Sequence, residues 1–352
     1  MNYIPKYTIN ERIRHNLFEI EKMKDRILSN RVLPDVEESI RLRASIESIH
    51  SSTSIEGNPL SANEVRAIVT SDKLLSEEEY AEIEVKNYRN ALEYIDKRRL
   101  GSPELTLDDV FELHRIITDK LLNKSRNGKI RKNQVYIENQ KHEVLYTAIE
   151  AEKVESALRE LVDWIHDSQF SIHPVIIAAI IHFRIAAIHP FSDGNGRTAR
   201  ALTSLFLALN QYDCGGALVL DSYYATDRKE YYGILQLLNG ADYISSSKAD
   251  LTTWLEYFTD GVLTSLHVLD AEIRLIKLAI SDRNSMELEH EDQDILSYVS
   301  KLGSITIAEA EAIMPEINRR SIQRRLKKLV DNEYLELVGE TREAKYVLKR
   351  GE

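Results

Sequence analysis

The segment from His189 to Arg200 combines residue types that bind phosphates and move protons. It reads His-Pro-Phe-Ser-Asp-Gly-Asn-Gly-Arg-Thr-Ala-Arg, with glycines on both sides of Asn195, where a new helix is predicted to begin. A glycine backbone lets N–H groups approach an anion closely, and a helix N-terminus adds the positive end of its dipole. The turn at Gly194 and Gly196 is therefore predicted to bind phosphate.

Charged side chains surround this turn. Arg197 and Arg200 are three residues apart, which places both guanidinium groups on one helix face, where a polyphosphate would neutralise them. The Asp193 carboxylate can hold Mg²⁺, which also binds phosphates. His189 can accept a proton from a hydroxyl near pH 7. Each feature alone is common in proteins, but together they predict an active site that handles nucleotide phosphates.

Helices should position this segment, because helical periodicity dominates a sequence that has only 13 Gly and 7 Pro. The first clear helix is expected after Pro34. Further helix starts are expected at Ser61, Ser76 and Thr106, each with an acidic residue three positions later. An apolar helix is expected to lead into the phosphate turn and another to leave it. The later predicted helices span 151–167, 174–188, 196–209, 227–238 and 251–280.

Residues 126–149 interrupt the helical pattern. Lys129–Arg131 and Gln134–Ile137 alternate in a way that is typical of extended chain. Glu143–Tyr146 is expected to return as a second strand. The interval is therefore predicted to form a small β-hairpin.

A change of pattern after Asp282 predicts a separate C-terminal unit. Three helices are followed by two short strands, Tyr334–Val338 and Lys345–Leu348, which is the order of a winged helix-turn-helix with Arg319–Leu329 as its candidate recognition helix. Residues 284–352 contain 11 Lys/Arg against 14 Asp/Glu, a net charge of −3. DNA binding is therefore an alternative that the charge does not favour, and the arginines of this helix would serve equally well in a protein interface or a dimer contact.

Composition narrows the class of protein. The chain has 352 residues and a net charge of −11, which argues against a protein that coats nucleic acid. A single cysteine, Cys214, excludes an intrachain disulfide and a multi-cysteine zinc site. We see no signal peptide, and the apolar run 175–188 is too short to span a bilayer. The sequence predicts a cytoplasmic protein without membrane contact.

The segment His189–Arg200 resembles the signature of the Fic-domain family, His-Pro-Phe-x-Asp-Gly-Asn-Gly-Arg-x-x-Arg, at every specified position. The resemblance covers about 107–262. It implies transfer of AMP from ATP to a hydroxyl of a target protein, with release of pyrophosphate. His189 is then expected to be the general base and Asp193 the Mg²⁺ ligand. The residues expected to contact ATP in this segment are Asp193, Gly194, Asn195, Gly196, Arg197, Thr198 and Arg200.

The resemblance also implies a fold. We expect a mainly α protein, a Fic-type helical bundle with a small β-hairpin flap, and a C-terminal winged helix-turn-helix. The expected domains are an N-terminal helical region (1–105), a Fic catalytic domain (106–262), a linker helix (263–283) and a winged-helix domain (284–352).

Two flanking segments are expected to complete the nucleotide site. Tyr231 to Asn239 resembles the family's segment that contacts adenine and ribose, although a tyrosine-rich core helix would look the same. The strand Gln134–Glu138, with Val135 and Tyr136, resembles the family's flap, which holds the target by adding it as an edge strand.

A second family pattern, Ser/Thr-x-x-x-Glu-Gly/Asn, matches Ser52–Gly57 and implies an autoinhibitory role for Glu56. A carboxylate in the last turn of a helix faces the negative end of the dipole and so needs a cationic partner, for which Arg200 is the candidate. That ion pair would remove Arg200 from the γ-phosphate. The alternative is an exposed glutamate at an ordinary helix end.

Other functions remain open from the sequence. The same site could remove AMP, or the chain could be a DNA-binding regulator that senses nucleotide through its Fic core. Transfer of another phosphate-containing group, such as phosphocholine, is disfavoured by the two arginines, which suit a triphosphate. The expected partners are an unidentified target protein, the protein itself as a substrate, and a second copy in a homodimer.

Overall fold

A computed structural model describes residues 3–29, 34–71, 80–138, 141, 143–283, 290–315, 317–339 and 344–349. The described chain is mostly helical, as expected. Its helices are α1 (Glu11–Ser29), α2 (Pro34–Ile55), α3 (Ala62–Ser71), α4 (Tyr80–Arg98), α5 (Leu107–Ile117), α6 (Val154–Ser168), α7 (Pro174–Ile188), α8 (Asn195–Leu209), α9 (Asp221–Thr226), α10 (Arg228–Asn239), α11 (Tyr243–Ser247), α12 (Thr252–Arg283), α13 (His290–Leu302), α14 (Ile307–Ile313) and α15 (Arg319–Asp331). No helix in the described ranges combines the length and apolar character needed to cross a membrane.

The chain divides into two compact units. The first comprises Met1–Arg26 and Ser45–Leu266, and the second comprises Ile27–Ala44 and His267–Glu352. Helix α12 runs without a break through the expected boundary between residues 262 and 263. The expected domain limits therefore remain predictions, and secondary structure does not mark that boundary.

The core of the first unit is built on α7. Nearly every residue of this helix is buried, because its apolar side chains point in all directions rather than along one stripe. Helix α8 packs along it, and α4 and α5 pack on α8. The indole of Trp254, on α12, donates a hydrogen bond of 2.7 Å to the carbonyl oxygen of Ala179 in α7. The end of α7 and the start of α8 are thereby fixed by the core.

Two strands, β1 (Tyr136–Glu138) and β2 (Val144–Thr147), form an antiparallel hairpin in the first unit. We call this hairpin the flap. The backbone N–H of Thr147 donates to the carbonyl oxygen of Ala241, 2.9 Å away, so β2 is anchored to the segment after α10. Strand β1 lies on the outer side of the pair. The predicted hairpin is confirmed.

The second unit ends in three helices and a second hairpin, β3 (Leu335–Val338) and β4 (Lys345–Leu348). Apolar side chains of α13, α14, α15, β3 and the chain segments on either side of α14 form a core there. These buried residues are Ile295, Leu296, Val299, Ile305, Ala310, Met314, Ile322, Leu326, Leu329 and Leu335.

Several predicted helix starts are confirmed. Thr106 and Asp109 form a reciprocal capping box at the start of α5. Ser61 and Glu64 exchange the same type of contact before α3, with 2.8 Å from the Ser61 N–H to Glu64 Oε2. The start predicted at Ser76 lies outside the described residues.

The expectation that the first clear helix follows Pro34 is wrong, because α1 precedes it. The Asn10 side chain caps α1 by accepting a hydrogen bond of 3.0 Å from the Ile13 N–H. Ile13 and Ile20 are fully buried, but the face between them includes Asn16, which is buried and bonded to Asp260. A polar residue on the buried face hides the helical period in the sequence.

Candidate active site

The junction between α7 and α8 forms the centre of the candidate site. His189 ends α7 in the left-handed conformation, with φ 50°. Gly194 caps α8, also left-handed with φ 76°, and supplies no side chain to the cap. A helix N-terminus capped in this way leaves its N–H groups for an anion. The predicted phosphate turn is therefore present as a turn that opens onto the start of a helix.

Asn195 holds the turn together. Its Oδ1 accepts a hydrogen bond of 2.9 Å from the Phe191 N–H, and its Nδ2 donates one of 2.9 Å to the Phe191 carbonyl oxygen. The side chain is buried. Asn195 was expected to cradle phosphates, but both polar atoms of its amide are engaged by the turn itself.

His189 lies at the entrance to the turn with its ring partly buried. Its Nδ1 is 3.4 Å from the carbonyl oxygen of Ala186, so the tautomer with a proton on Nδ1 leaves the Nε2 lone pair free. Burial, together with the nearby Arg131 charge, lowers the pKa of His189 to about 4. The ring is therefore neutral at pH 7, as a proton acceptor must be.

Arg200 is held by the end of α2. Its Nη2 donates to Glu56 Oε1 at 2.8 Å and to the Ser52 carbonyl oxygen at 2.9 Å, while its Nε donates to Ser52 Oγ at 2.8 Å. The Arg200 side chain is 1% exposed and the Glu56 side chain 27% exposed. Burial disfavours ionisation of Glu56, but the Arg200 charge and hydrogen bond outweigh it and hold the Glu56 pKa below its ordinary value.

The Glu56 carboxylate also lies against the phosphate turn. A Cβ atom added to Gly196 would overlap Glu56 Oε1, so only glycine fits there while Glu56 is in place. Behind the ion pair, the buried carboxylate of Asp221 lies 3.5 Å from Arg200 Nε and accepts a hydrogen bond from Ser48. Arg200 thus lies between two carboxylates and is also bonded to Ser52.

Arg197 has a carboxylate partner that the sequence did not predict. Its Nη1 donates to Glu84 Oε1 at 2.5 Å, and both side chains are buried. Glu84 lies on α4 and also accepts a hydrogen bond of 2.8 Å from Asn58. Burial raises the pKa of Glu84 despite the Arg197 charge. No motif or spacing relates residues 84 and 197 in the sequence, so only the fold reveals the pair.

Asp193 is the carboxylate at the open side of the turn. Its side chain is 52% exposed and lies 3.8 Å from Arg197 Nη2. Its Oδ1 accepts a hydrogen bond of 2.6 Å from the Gly194 N–H. Within the described ranges, no three His, Cys, Asp or Glu side chains come together as a metal cage. Asp193 alone suits a Mg²⁺ ion that takes its other ligands from water and phosphates.

Three further expected nucleotide contacts also lie in the protein interior. The Tyr231 hydroxyl is 2.8 Å from His182 Nε2 and its ring stacks on Tyr224. Asn239 is buried and accepts a hydrogen bond of 2.9 Å from Ser246. Thr198 is fully buried, with no hydrogen-bond partner for its hydroxyl in the described part of the chain. The positions of Tyr231 and Asn239 favour the tyrosine-rich core helix over a direct nucleotide contact.

The flap residues lie at the edge of the site. The Val135 carbonyl oxygen accepts a hydrogen bond of 3.2 Å from the Ala148 N–H, which closes the base of the hairpin. The Tyr136 side chain is 52% exposed. Tyr232, one residue after the buried Tyr231, is also exposed and lies 5.7 Å from the Arg228 guanidinium.

Two buried residues that the sequence did not single out fix the turn from behind. His114 Nε2 is 3.1 Å from the Asp193 carbonyl oxygen, and its Nδ1 accepts the Gly128 N–H at 3.0 Å. Its ring stacks on Phe191 with the ring centres 3.6 Å apart. Arg131 Nε donates to the His189 carbonyl oxygen at 2.8 Å, which ties the chain before the flap to His189.

Comparison with known proteins identifies the region that carries this site. Residues 104–207 match the Fic/DOC family. Protein adenylyltransferase fic-1 of Caenorhabditis elegans is 32% identical over 198 residues, which are 55% of this chain and 36% of that protein. Protein adenylyltransferase Fic of Nematostella vectensis is 30% identical over 202 residues, 56% of this chain and 44% of that one. The chain thus spans less than half the length of these curated relatives.

Solved structures agree on the fold. A Fic family protein from Desulfovibrio desulfuricans is similar with a TM-score of 0.63 at 20% identity over 99% of both chains. Fic-1 from Caenorhabditis elegans is similar with a TM-score of 0.61 at 25% identity over 74% of this chain and 73% of that one.

Proposed function

Because the chain contains a Fic domain, we propose that it is a protein adenylyltransferase. A hydroxyl oxygen of the target protein attacks the α-phosphorus of ATP, the bond between the α-phosphorus and the bridging oxygen breaks, and pyrophosphate leaves. The hydroxyl proton passes to His189 Nε2. The observation that carries this proposal is that a neutral histidine, an open helix N-terminus and two arginines lie at the same turn.

The roles of the charged residues follow from charge movement in the reaction. Negative charge develops on the leaving pyrophosphate, so Arg197, Arg200 and the N–H groups at the start of α8 stabilise the transition state. Asp193 would hold Mg²⁺, which supplies further positive charge to the phosphates when bound. Asn195 and His114 keep the turn in shape rather than bind the nucleotide.

We infer further that the enzyme is autoinhibited. Arg200 cannot reach a γ-phosphate while it donates to Glu56 and Ser52. Arg200 is buried and Glu56 is partly exposed, so release of Arg200 requires the end of α2 to move or Glu56 to find another partner. The same carboxylate could orient a water molecule for AMP removal, which makes de-AMPylation the second candidate activity.

The proposal also covers the proteins that this chain would bind. Strand β1 pairs with β2 on one side and presents its other edge to a target strand. The protein itself is a candidate target, and a homodimer is a candidate assembly. We interpret α13 to β4 as a winged helix-turn-helix, since three helices pack beside an antiparallel hairpin.

The test uses Glu56→Gly protein with ATP labelled at the α-phosphate. We expect strong self-labelling, or labelling of lysate proteins, where the unchanged protein gives little. In Glu56→Gly/His189→Ala protein the rate should fall by about 10²–10⁴-fold, the contribution of a positioned base.

Two results would contradict the proposal. Equal labelling by the unchanged and Glu56→Gly proteins would exclude autoinhibition. An absence of labelled protein with both, in a preparation that melts cooperatively and binds ATP, would exclude adenylyl transfer. Release of label from an AMP-modified substrate would instead support the second candidate activity.

A further inference from the structure

Helix α15 has two faces of opposite character. Ile322, Leu326 and Leu329 are completely buried in the core of the second unit and fix how the helix is rotated. The exposed face opposite them carries Arg320, Gln323, Arg324 and Lys327. These positions are spaced three, four and seven residues apart, so the four side chains form one row along the helix. We call this row the basic face.

Several carboxylates near α15 are bound to cations outside the basic face. Arg325 donates to Asp292 at 2.9 Å and Lys328 donates to the same carboxylate at 2.8 Å. Arg319 pairs with Glu311 at 2.8 Å. Among the residues that the structure describes, no carboxylate pairs with Arg320, Arg324 or Lys327.

This arrangement changes what the net charge means. The net charge of residues 284–352 is −3, which by itself argues against DNA binding. The structure shows that acidic side chains neutralise cations along the sides of α15 and leave the outward row positive. The helix itself has six cations and a single carboxylate, Asp331, as its last residue. A ligand that approaches the basic face therefore meets a positive surface, although the net charge of residues 284–352 is negative.

We propose that the basic face binds double-stranded DNA in the major groove. The helix follows two packed helices and precedes a hairpin, the arrangement that presents a recognition helix. Arg320 and Lys327 are about 10 Å apart along the helix axis, and the major groove, about 12 Å wide, admits a helix. The cations contact phosphates, and Gln323 lies in the middle of the row, where its amide can pair with an adenine edge.

The other partners that a row of positive side chains can bind are single-stranded nucleic acids and acidic proteins. We favour the duplex because the positive side chains lie in one row on a helix, and no aromatic side chain of α15 is available to stack on unpaired bases. This inference is independent of adenylyl transfer, since it uses residues of the second unit alone.

The experiment measures fluorescence anisotropy of a labelled mixed-sequence duplex of about 20 base pairs with the full-length protein at several salt concentrations. The test variant is R320E/R324E/K327E. Its matched control is R14E/K124E/K248E, which changes the net charge equally at exposed positions of the first unit. Three lost phosphate contacts should weaken binding by at least about 100-fold at low salt. The slope of log K against log salt should fall by about 2.7 when the three sites are instead changed to alanine.

Binding by the unchanged protein and the control variant, with loss in the test variant, supports the proposal. Three outcomes overturn it: no duplex binding at about 50 mM salt, equal weakening by both variants, or preference for a single-stranded RNA of the same length over the duplex. Far-ultraviolet circular dichroism of the variants shows whether the helical fold is retained, and the alanine series repeats the measurement without charge reversal.

Discussion

At the residue scale, the two arginines of the phosphate turn are bound by carboxylates from different helices. Glu56 at the end of α2 holds Arg200, and Glu84 near the start of α4 holds Arg197. Only the first pair has a place in the family's inhibitory pattern. A triphosphate that enters the site must compete with both carboxylates, so Glu84 should weaken nucleotide binding even after Glu56 has been removed.

The prediction concerns Glu84→Gln in the Glu56→Gly background. Glutamine keeps the size of the side chain and an acceptor for Asn58 but removes the charge that competes for Arg197. We expect the KM for ATP to fall about tenfold, which corresponds to about 1.4 kcal/mol, with a smaller change in kcat. Initial rates of self-modification over a range of ATP concentrations measure both constants.

Glu93→Gln is the matched control, because Glu93 is an exposed carboxylate on the same helix that pairs with Arg89 at 3.5 Å. It should leave the KM unchanged. A higher KM in Glu84→Gln would show the opposite role, namely that Glu84 orients Arg197 for the phosphate.

The sequence identifies those site residues that lie close to one another along the chain. His189, Gly194 and Arg197 lie in one continuous segment, so their types and spacing indicate their chemistry. Glu84, His114 and Arg131 reach the same turn from distant parts of the chain, and nothing near them in the sequence marks a partner. Tyr231 shows a different limit of sequence analysis. An aromatic stripe has the same pattern whether it lines a pocket or fills a core.

At the element scale, the junction of α7 and α8 depends on the close approach of α5. Gly194 has φ 76°, and a Cβ atom added there would lie 2.8 Å from Thr118 Cγ2. The Thr118 hydroxyl donates to the His114 carbonyl oxygen at 2.8 Å, so Thr118 cannot turn away without the loss of that bond. Backbone conformation and packing therefore both require glycine at this position.

We predict that Gly194→Ala lowers the free energy of unfolding by about 2–4 kcal/mol, since it adds left-handed strain of about 1–2 kcal/mol to the clash. Thr118→Ser removes the methyl group and keeps the hydroxyl. In the double variant only the strain should remain, so the two changes should couple by about 1–2 kcal/mol in a urea-unfolding cycle. Additive effects would show that the clash is relieved in some other way.

The elements themselves were mostly accessible from the sequence, for identifiable reasons. The bounds of α7 are those predicted, because Pro174 starts it and a continuous apolar run fills it. Helix α1 was missed because its buried face includes Asn16, which bonds to Asp260, 244 residues later in the chain. The short α9 and α11 give too few residues for a period to be visible.

At the scale of the whole molecule, buried histidines link stability to pH. Burial lowers the pKa of His114 and His189 to about 4 and that of His182, fully buried among aromatic rings, to about 3. An unfolded chain has histidines that bind protons near pH 6.5. Between these values the unfolded chain binds more protons than the folded one. The stability that depends on these histidines being neutral is therefore fully present above about pH 6.5. It is lost as the pH falls toward 4.

His182→Gln isolates one of these groups. The amide can still bond to Tyr231 and Thr203, which contact the two ring nitrogens at 2.8 and 3.2 Å, but it does not titrate. We expect the loss of unfolding free energy between pH 7 and pH 5 to shrink by about 2 kcal/mol, the linkage of a group whose pKa falls from about 6.5 to about 3. Urea unfolding followed by tryptophan fluorescence measures it, since Trp254 lies against His182. His15→Gln, at an exposed histidine, should leave the difference unchanged. An equal pH dependence in all three proteins would show that His182 does not titrate differently in the folded and unfolded states.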